Sequence, residues 1–246
     1  MAKAARKTSS RKSKSKVTGL SPAVLLRRAR YWALRGALGI VGFYALLILM
    51  FSVVNPPITH TIFAEWWRLG EVERDWVAIE DMAPVMARSV VAAEDARFCD
   101  HWGFDVEAIR SALESGANRG ASTLTQQVVK NVFLWQGRSW LRKAMETFIT
   151  PVVELTWSKR RIVEVYLNVA EMGEGIFGAE AAAQYYFGVS AADLTAQQAA
   201  LIAATLPNPK ERSAAKPGDF MRKRARQIVD GAATIDRDGR AACFQH

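Results

Sequence analysis

Carboxylates, amides and cations are concentrated in four blocks of the chain, and their spacing suits groups that move a proton and hold an anion. The first block, Glu94-Asp95-Ala96-Arg97-Phe98-Cys99-Asp100-His101-Trp102-Gly103, crowds three acids, an arginine and a histidine behind an apolar helical stretch. Glu94 is expected at the C-terminal end of that helix. There the negative end of the helix dipole disfavours ionisation and lifts a carboxyl toward the range useful to a general base. The same cluster also fits a solvated helix end with local ion pairs. The second block, Gly120 to Asn131, sets Ser122, Thr123, Gln126 and Gln127 at a helix start, with Lys130 and Asn131 further on. Backbone donors, hydroxyls and one cation converge well on a phosphate. Capping alone needs only Ser122 or Thr123, so the paired glutamines suggest recognition of a large hydroxylated ligand. In the third block, from Arg138, the residues Arg142, Lys143 and Glu146 share a helical face, which a surface salt-bridge set explains equally well. The fourth, Lys159 to Asn168, is an amphipathic helix with Glu164 and Asn168 one turn apart.

The elements that must position these blocks read as helices. Apolar residues recur at three and four spacing over 85–93, 106–113, 123–133, 140–157, 160–169 and 197–206, and strand-like alternation is scarce. Gly103, Gly116, Gly120, Gly137, Gly173, Gly175, Gly178 and Gly188 punctuate the segments, and Pro207 and Pro209 close the last. The body is expected to be mainly α. The segment after Arg222 is helical in composition and carries no interpretable motif.

A net charge of +9 suggests nucleic acid until the charge is located. Residues 1–35 hold eleven of the 33 basic residues and no acid, leaving 22 bases against 24 acids in a nearly neutral body. The uncharged run Gly36–Val54 is 19 residues long, enough to cross roughly 30 Å of hydrocarbon as a helix. Asn55-Pro56-Pro57 follows it in place of a small-residue cleavage site, which favours an uncleaved anchor over a signal peptide. Residues 1–35 then form a basic cytoplasmic tail expected to be unstructured, 36–54 a transmembrane helix, and 55–246 a domain outside the cytoplasm. Trp66 and Trp67 rest on the outer leaflet or fill a core. The run from Leu134 to Trp140 likewise reads as a membrane-facing lobe or as core. Cys99 and Cys243 are the two cysteines, and free thiols are expected over a bridge.

Taken in order, the four blocks resemble the family 51 peptidoglycan glycosyltransferases, of the short monofunctional biosynthetic type with one N-terminal anchor. The resemblance covers roughly residues 75 to 210. It includes Gly173-Glu174-Gly175-Ile176-Phe177-Gly178, Glu180-Ala181-Ala182-Ala183 and Leu206-Pro207-Asn208-Pro209. It implies a lysozyme-like helical lobe with a smaller membrane-proximal lobe, preceded by the anchor. The residues after Pro209 are too few for the transpeptidase domain of larger relatives.

The resemblance makes Glu94 the catalytic base and Glu146 the second active-site carboxylate. It implies polymerisation of lipid II into glycan strands: the 4-hydroxyl of an acceptor N-acetylglucosamine attacks C1 of N-acetylmuramic acid on the growing chain, releasing undecaprenyl pyrophosphate with inversion. Lys130 and Arg138 match the cations facing the pyrophosphate. Ser122, Thr123, Gln126, Gln127, Asn131 and Arg97 would line the sugar and phosphate cleft, with Arg142 and Lys143 orienting Glu146. His101 is expected to make structural hydrogen bonds. No residues show metal-ligand spacing, and magnesium or manganese is expected only as an ion assisting at the pyrophosphate. Implied partners are lipid II, the lipid-linked glycan chain, the membrane and other cell-wall synthesis and division proteins, and no nucleic acid. The implied place is the cytoplasmic (inner) membrane, with the catalytic domain periplasmic. Two rivals are a muramidase or lytic transglycosylase, which shares the helical lobe and a catalytic glutamate, and an inactive anchored scaffold. The Lys130 and Arg138 cations suit a pyrophosphate better than a neutral leaving group, and an intact Glu94 and Lys130 count against a scaffold.

Overall fold

The structure, a computed structural model, describes residues 22–114, 122–137 and 139–245. The first part of the basic tail, residues 115–121 with Gly116 and Gly120, and Arg138 lie outside the described residues. Helix α1 runs Pro22–Phe51, so it starts well before the uncharged run and takes in Arg27, Arg28, Arg30 and Arg35. Pro22 to Arg35 is therefore helical, where an unstructured tail is expected. Leu38, Ile40, Val41 and Phe43 are each more than half exposed. A helix apolar on every face and not covered by protein is long and apolar enough to cross a membrane. The chain forms two compact units, one up to Ala45 and one from Leu46 onward.

The second unit begins with the last turns of α1, where Ile48 and Phe51 are buried. Trp157 donates its indole N–H to the Ile48 carbonyl at 2.8 Å, and Phe133 lies between Phe51 and Trp157. The elements that follow are α2 (His60–Leu69), β1 (Glu73–Arg74), α3 (Pro84–Glu94), α4 (Val106–Glu114), α5 (Leu124–Phe133), α6 (Trp140–Thr156) and α7 (Lys159–Val169). After them come β2 (Glu171–Gly173), β3 (Ile176–Phe177), α8 (Ala179–Phe187), α9 (Ala196–Thr205), α10 (Asp219–Arg237) and α11 (Ala242–Gln245).

Local chemistry explains where the helices start. Ser139 and Ser158 accept from the third backbone N–H of α6 and α7, and Thr123 and Thr195 each form a capping box with Gln126 and Gln198. Helix α9 buries an alanine-rich face, Ala199, Ala200, Ala203 and Ala204, whose small side chains let α3 and α10 close on it. Helix α5 packs on α6 and α7, and Val128, Val129, Val153, Ile162 and Val165 of these helices are fully buried. The strands form one small sheet in the order β1-β3-β2, with β1 parallel and β2 antiparallel to β3. Gly178, at φ 89°, ends that sheet where a Cβ would stand 3.1 Å from the Asn168 carbonyl oxygen.

Trp66 and Trp67 are 45% and 78% exposed, so neither fills a core. In the other ambiguous run, Leu134 is buried at 1% exposure while Trp140 stands out at 92%. Leu141, Phe148 and Leu155, seven residues apart on one side of α6, are also exposed.

Cys99 and Cys243 form a disulfide with Cα atoms 5.8 Å apart, which overturns the expectation of free thiols. The partners are 144 positions apart, and the sequence carries no sign of the approach. Helices α10 and α11 bring it about by returning the chain to the loop behind α3, where Phe244 meets Phe98 and Arg240 donates to the Ala96 carbonyl.

Candidate active site

Glu94 is the last residue of α3 and is partly buried. Gln127, on α5, donates its side-chain N–H to the Glu94 carboxylate at 2.8 Å. Burial pushes the Glu94 carboxyl above its ordinary pKa; the Gln127 hydrogen bond, Arg224 and Lys130 pull it back, and Asp95 adds to the rise. The Gln127 carbonyl accepts from the Tyr166 hydroxyl at 3.2 Å. Tyr166 is fully buried, and burial together with the Glu94 charge holds its pKa well above the usual value, so it stays a donor.

The loop after Glu94 is held by its own acids. Asp95 bonds His101 Nε2 at 2.8 Å with one oxygen and accepts the Leu124 backbone N–H at 3.0 Å with the other. His101 thus makes a structural hydrogen bond, and its carbonyl accepts from Lys159 at 2.7 Å. Thr123 donates to the Gly103 carbonyl at 2.7 Å, and a Cβ on Gly103 would stand 2.5 Å from the Thr150 methyl. Asp105 accepts from the Ala108 N–H at 2.9 Å and faces Arg97, which also pairs with Glu107.

Two expectations change here. Leu124 N–H at the start of α5 is taken by Asp95, and the N–H groups of Gln126 and Gln127 are taken by Thr123, so these three are not free for a phosphate. Gln126, only 5% exposed, reaches back to the Thr123 N–H, so its side chain completes a capping box and does not project into a cleft.

Two hollows lie on either side of the Glu94–Gln127 hydrogen bond, Gln127 lining one and Glu94 the other. One, of about 310 Å³, is lined by Gln127, Lys130, Asn131, Tyr166, Glu171 and Lys210. The other, of about 400 Å³, is lined by Glu94, Asp95, Arg97, Asp105, Ser122 and Thr123. Burial and the nearby Arg142 lower the Lys130 pKa, against the opposing pull of Glu94. Burial, Arg142 and Lys130 do the same to Lys143. Glu146, 3% exposed, is paired with Arg142 and accepts from Lys143 at 3.0 Å, while Lys143 also reaches Ser122 at 3.5 Å. The fold therefore gathers Glu94, Gln127, Lys130, Asn131, Ser122, Arg142, Lys143 and Glu146 into one region. The sequence did not single out Tyr166, Lys210 or Arg224, which belong to the same surroundings.

The oxygens and nitrogen of Asp95, His101 and Asp105 come within 4.8 Å of one another, a grouping that a divalent ion also favours. Asp95 is engaged by His101 and the Leu124 N–H, and Asp105 by the Ala108 N–H and the Arg97 charge, while the buried His101 Nδ1 has no hydrogen-bond partner. The cluster acts as a hydrogen-bonded brace between the loop after Glu94 and the start of α5.

A helical body that sets a partly buried carboxylate beside a cluster of lysines and arginines combines a proton acceptor with groups that bind an anion, the equipment of a group-transfer enzyme. Residues 60–233 match the transglycosylase family, and the chain belongs to it. It is 57% identical to the biosynthetic peptidoglycan transglycosylase of Jannaschia sp. (strain CCS1) over 244 residues, 99% of each chain. Identity to the protein of the same name from Stutzerimonas stutzeri (strain A1501) is 49%, over 78% of this chain and 83% of that one. Against that of Yersinia pseudotuberculosis serotype O:3 (strain YPIII) it is 46%, over 81% and 88%.

Proposed function

We propose that this transglycosylase extends glycan strands by inverting transfer, with Glu94 as the general base. Polymerisation of glycan strands in cell-wall biosynthesis is its activity, and lipid II and the lipid-linked glycan chain are its substrates. Glu94 takes the proton from the acceptor's 4-hydroxyl as that oxygen bonds to C1 of the growing chain. The bond from C1 to the pyrophosphate breaks, undecaprenyl pyrophosphate departs, and configuration at C1 inverts. The observation that carries this reading is the Glu94 carboxylate, raised by burial yet held by Gln127, the two side chains each lining one of the two hollows.

The hollow lined by Lys130 and Asn131 takes the donor pyrophosphate. Burial lowers the Lys130 pKa, and an anionic ligand offsets that cost of holding its charge, so binding favours phosphate-linked sugars. The family resemblance assigns Arg138, which lies outside the described residues, to the same pyrophosphate. Glu146 serves as the anchor that holds Arg142 and Lys143 toward the same ligand. The hollow lined by Glu94, Arg97 and Ser122 takes the acceptor. Magnesium or manganese, when present, arrives with the pyrophosphate and screens its charge.

The apolar helix α1 fits a single-pass membrane protein. The basic N-terminal residues favour the cytoplasmic side, leaving the body outside, where the Cys99–Cys243 disulfide is chemically permitted. Exposed Trp67, Trp140, Phe148 and Leu155 suit contact with the outer leaflet and with other cell-wall synthesis and division proteins.

The test is polymerisation of labelled lipid II by detergent-solubilised full chain, wild type beside Glu94→Gln, with products sized after muramidase digestion. Muramidase-sensitive polymer from the wild type, reduced 100-fold or more in Glu94→Gln, is the expected result, on the order of what a positioned base supplies. Polymer of undiminished yield from Glu94→Gln removes Glu94 as the base. Cleavage of intact glycan with no polymer from the wild type reassigns the chain to the hydrolases.

A further inference from the structure

Helix α10 carries no motif, yet it lies along α3, the helix that ends at Glu94. The approach is close: a Cβ on Gly231 would stand 3.2 Å from the Ala92 methyl. Two turns earlier on α10, Arg224 donates from Nη2 to the Ala93 carbonyl oxygen at 3.0 Å. The last carbonyls of a helix lack intrahelical partners, and basic side chains that bond them also oppose the negative end of the helix dipole. Here the basic side chain comes from a helix 131 residues further along the chain. It closes on the residue immediately before Glu94.

We propose that Arg224 is a positioning residue for glycosyl transfer: it caps the C-terminal end of α3 and holds the Glu94 carboxylate ionised and in place to take the acceptor's proton. This rests on the reading of Glu94 as the base. The charged and titratable groups acting on Glu94 are Lys130 from α5, Tyr166 from α7, Asp95 beside it and Arg224 from α10, with Gln127 donating directly. Lys130 belongs to the hollow assigned to the pyrophosphate, so a bound donor neutralises much of its field at Glu94. Asp95 and the α3 dipole work against ionisation. Arg224 is engaged with the Ala93 carbonyl and does not line the pyrophosphate hollow, so its charge still acts on Glu94 when the donor is bound.

The test reads the rate of lipid II polymerisation against pH for full-length wild type, Arg224→Gln and Arg224→Lys, with folding checked by thermal melts. Glu94 works deprotonated, so the rate falls as pH drops through its pKa. Loss of the cation raises that pKa and moves the acidic limb to higher pH, by on the order of one unit. Arg224→Gln is therefore expected to lose about tenfold on the limb and to recover toward wild type on the alkaline side. Arg224→Lys, shorter but charged, is expected to move the limb less, in the same direction. A loss by the same factor at every pH, or an unmoved limb, overturns the proposal. If only the lysine variant folds, its limb alone decides. Glu94→Gln separates the two readings. Loss of polymer in that variant upholds the base whatever Arg224 does, and a retained acidic limb there removes the base itself.

Discussion

Tyr166 turns the Gln127 side chain: its hydroxyl donates to the Gln127 carbonyl at 3.2 Å, which leaves the amide N–H to face Glu94 at 2.8 Å. A glutamine amide can present either end, and only a fixed donor on one side selects which. Tyr166 is such a donor because burial keeps its proton in place. In Tyr166→Phe the amide is free to flip and set its carbonyl against the carboxylate. The expected result is a three- to tenfold loss of polymerisation with about 1 kcal/mol of stability lost, the net worth of a buried hydrogen bond. Lipid II assays and thermal melts of the same preparation check both. Unchanged rates show that Gln127 is oriented without Tyr166.

Glu94 sets catalysis against stability. Its pKa is raised in the fold, so between the unfolded and folded values the native state binds the extra proton, and stability falls as pH rises through that window. Polymerisation has the opposite sign: it is lost as pH falls through the same raised value. Replacing the carboxylate with a neutral isostere removes both effects. Glu94→Gln is expected to abolish polymer formation and to melt higher than wild type at neutral pH, with the gap closing in acid. Equal melting temperatures at neutral pH contradict a destabilised carboxylate.

The helices of the site are legible in the sequence because each buries one face. The apolar spacing over 85–93, 106–113, 123–133, 140–157, 160–169 and 197–206 is met by α3 to α7 and α9 within a residue or two. The short strands are not legible, since Glu73–Arg74 and Ile176–Phe177 are two residues each and have no period to show. Arg27 to Arg35 hide the start of α1 because charge suggests a solvated tail, although arginine is a good helix former. At the site, Glu94, Lys130 and Glu146 stand out by residue type. Thr123-x-x-Gln126 carries a capping-box signature, and that use competes with ligand recognition. Arg224 and the Cys99–Cys243 pair give no local signal, because each acts across more than a hundred residues.

Asp95 joins two elements through one carboxylate, His101 on the loop and Leu124 at the start of α5. It is 7% exposed, so neither donor finds water readily if the oxygen is lost. In Asp95→Asn the amide offers one carbonyl and turns an N–H toward the other donor. A loss of about 1–3 kcal/mol is expected from the unsatisfied buried group, with reduced polymerisation as the Glu94 loop loosens from α5. Denaturant unfolding gives the first number and the lipid II assay the second. A variant as stable as wild type means that the brace does not hold the loop.

The Cys99–Cys243 disulfide ties the Glu94 loop to the far end of the chain, and its contribution is expected to be large because the closed loop is long. With the partners 144 positions apart, the chain-entropy argument gives about 5 kcal/mol. Some of that constraint survives reduction, since Phe98 still packs on Phe244 and Arg240 still reaches the Ala96 carbonyl. Cys99→Ser, or the wild type under reductant, is therefore expected to keep its fold at moderate temperature and to melt several degrees or more lower. The activity lost on warming should track that melt. Gel mobility with and without reductant establishes whether the bond is present in the purified protein. Thermal melts of the oxidised, reduced and Cys99→Ser forms then measure its worth, and coincident melts for all three leave the bond without a stabilising role.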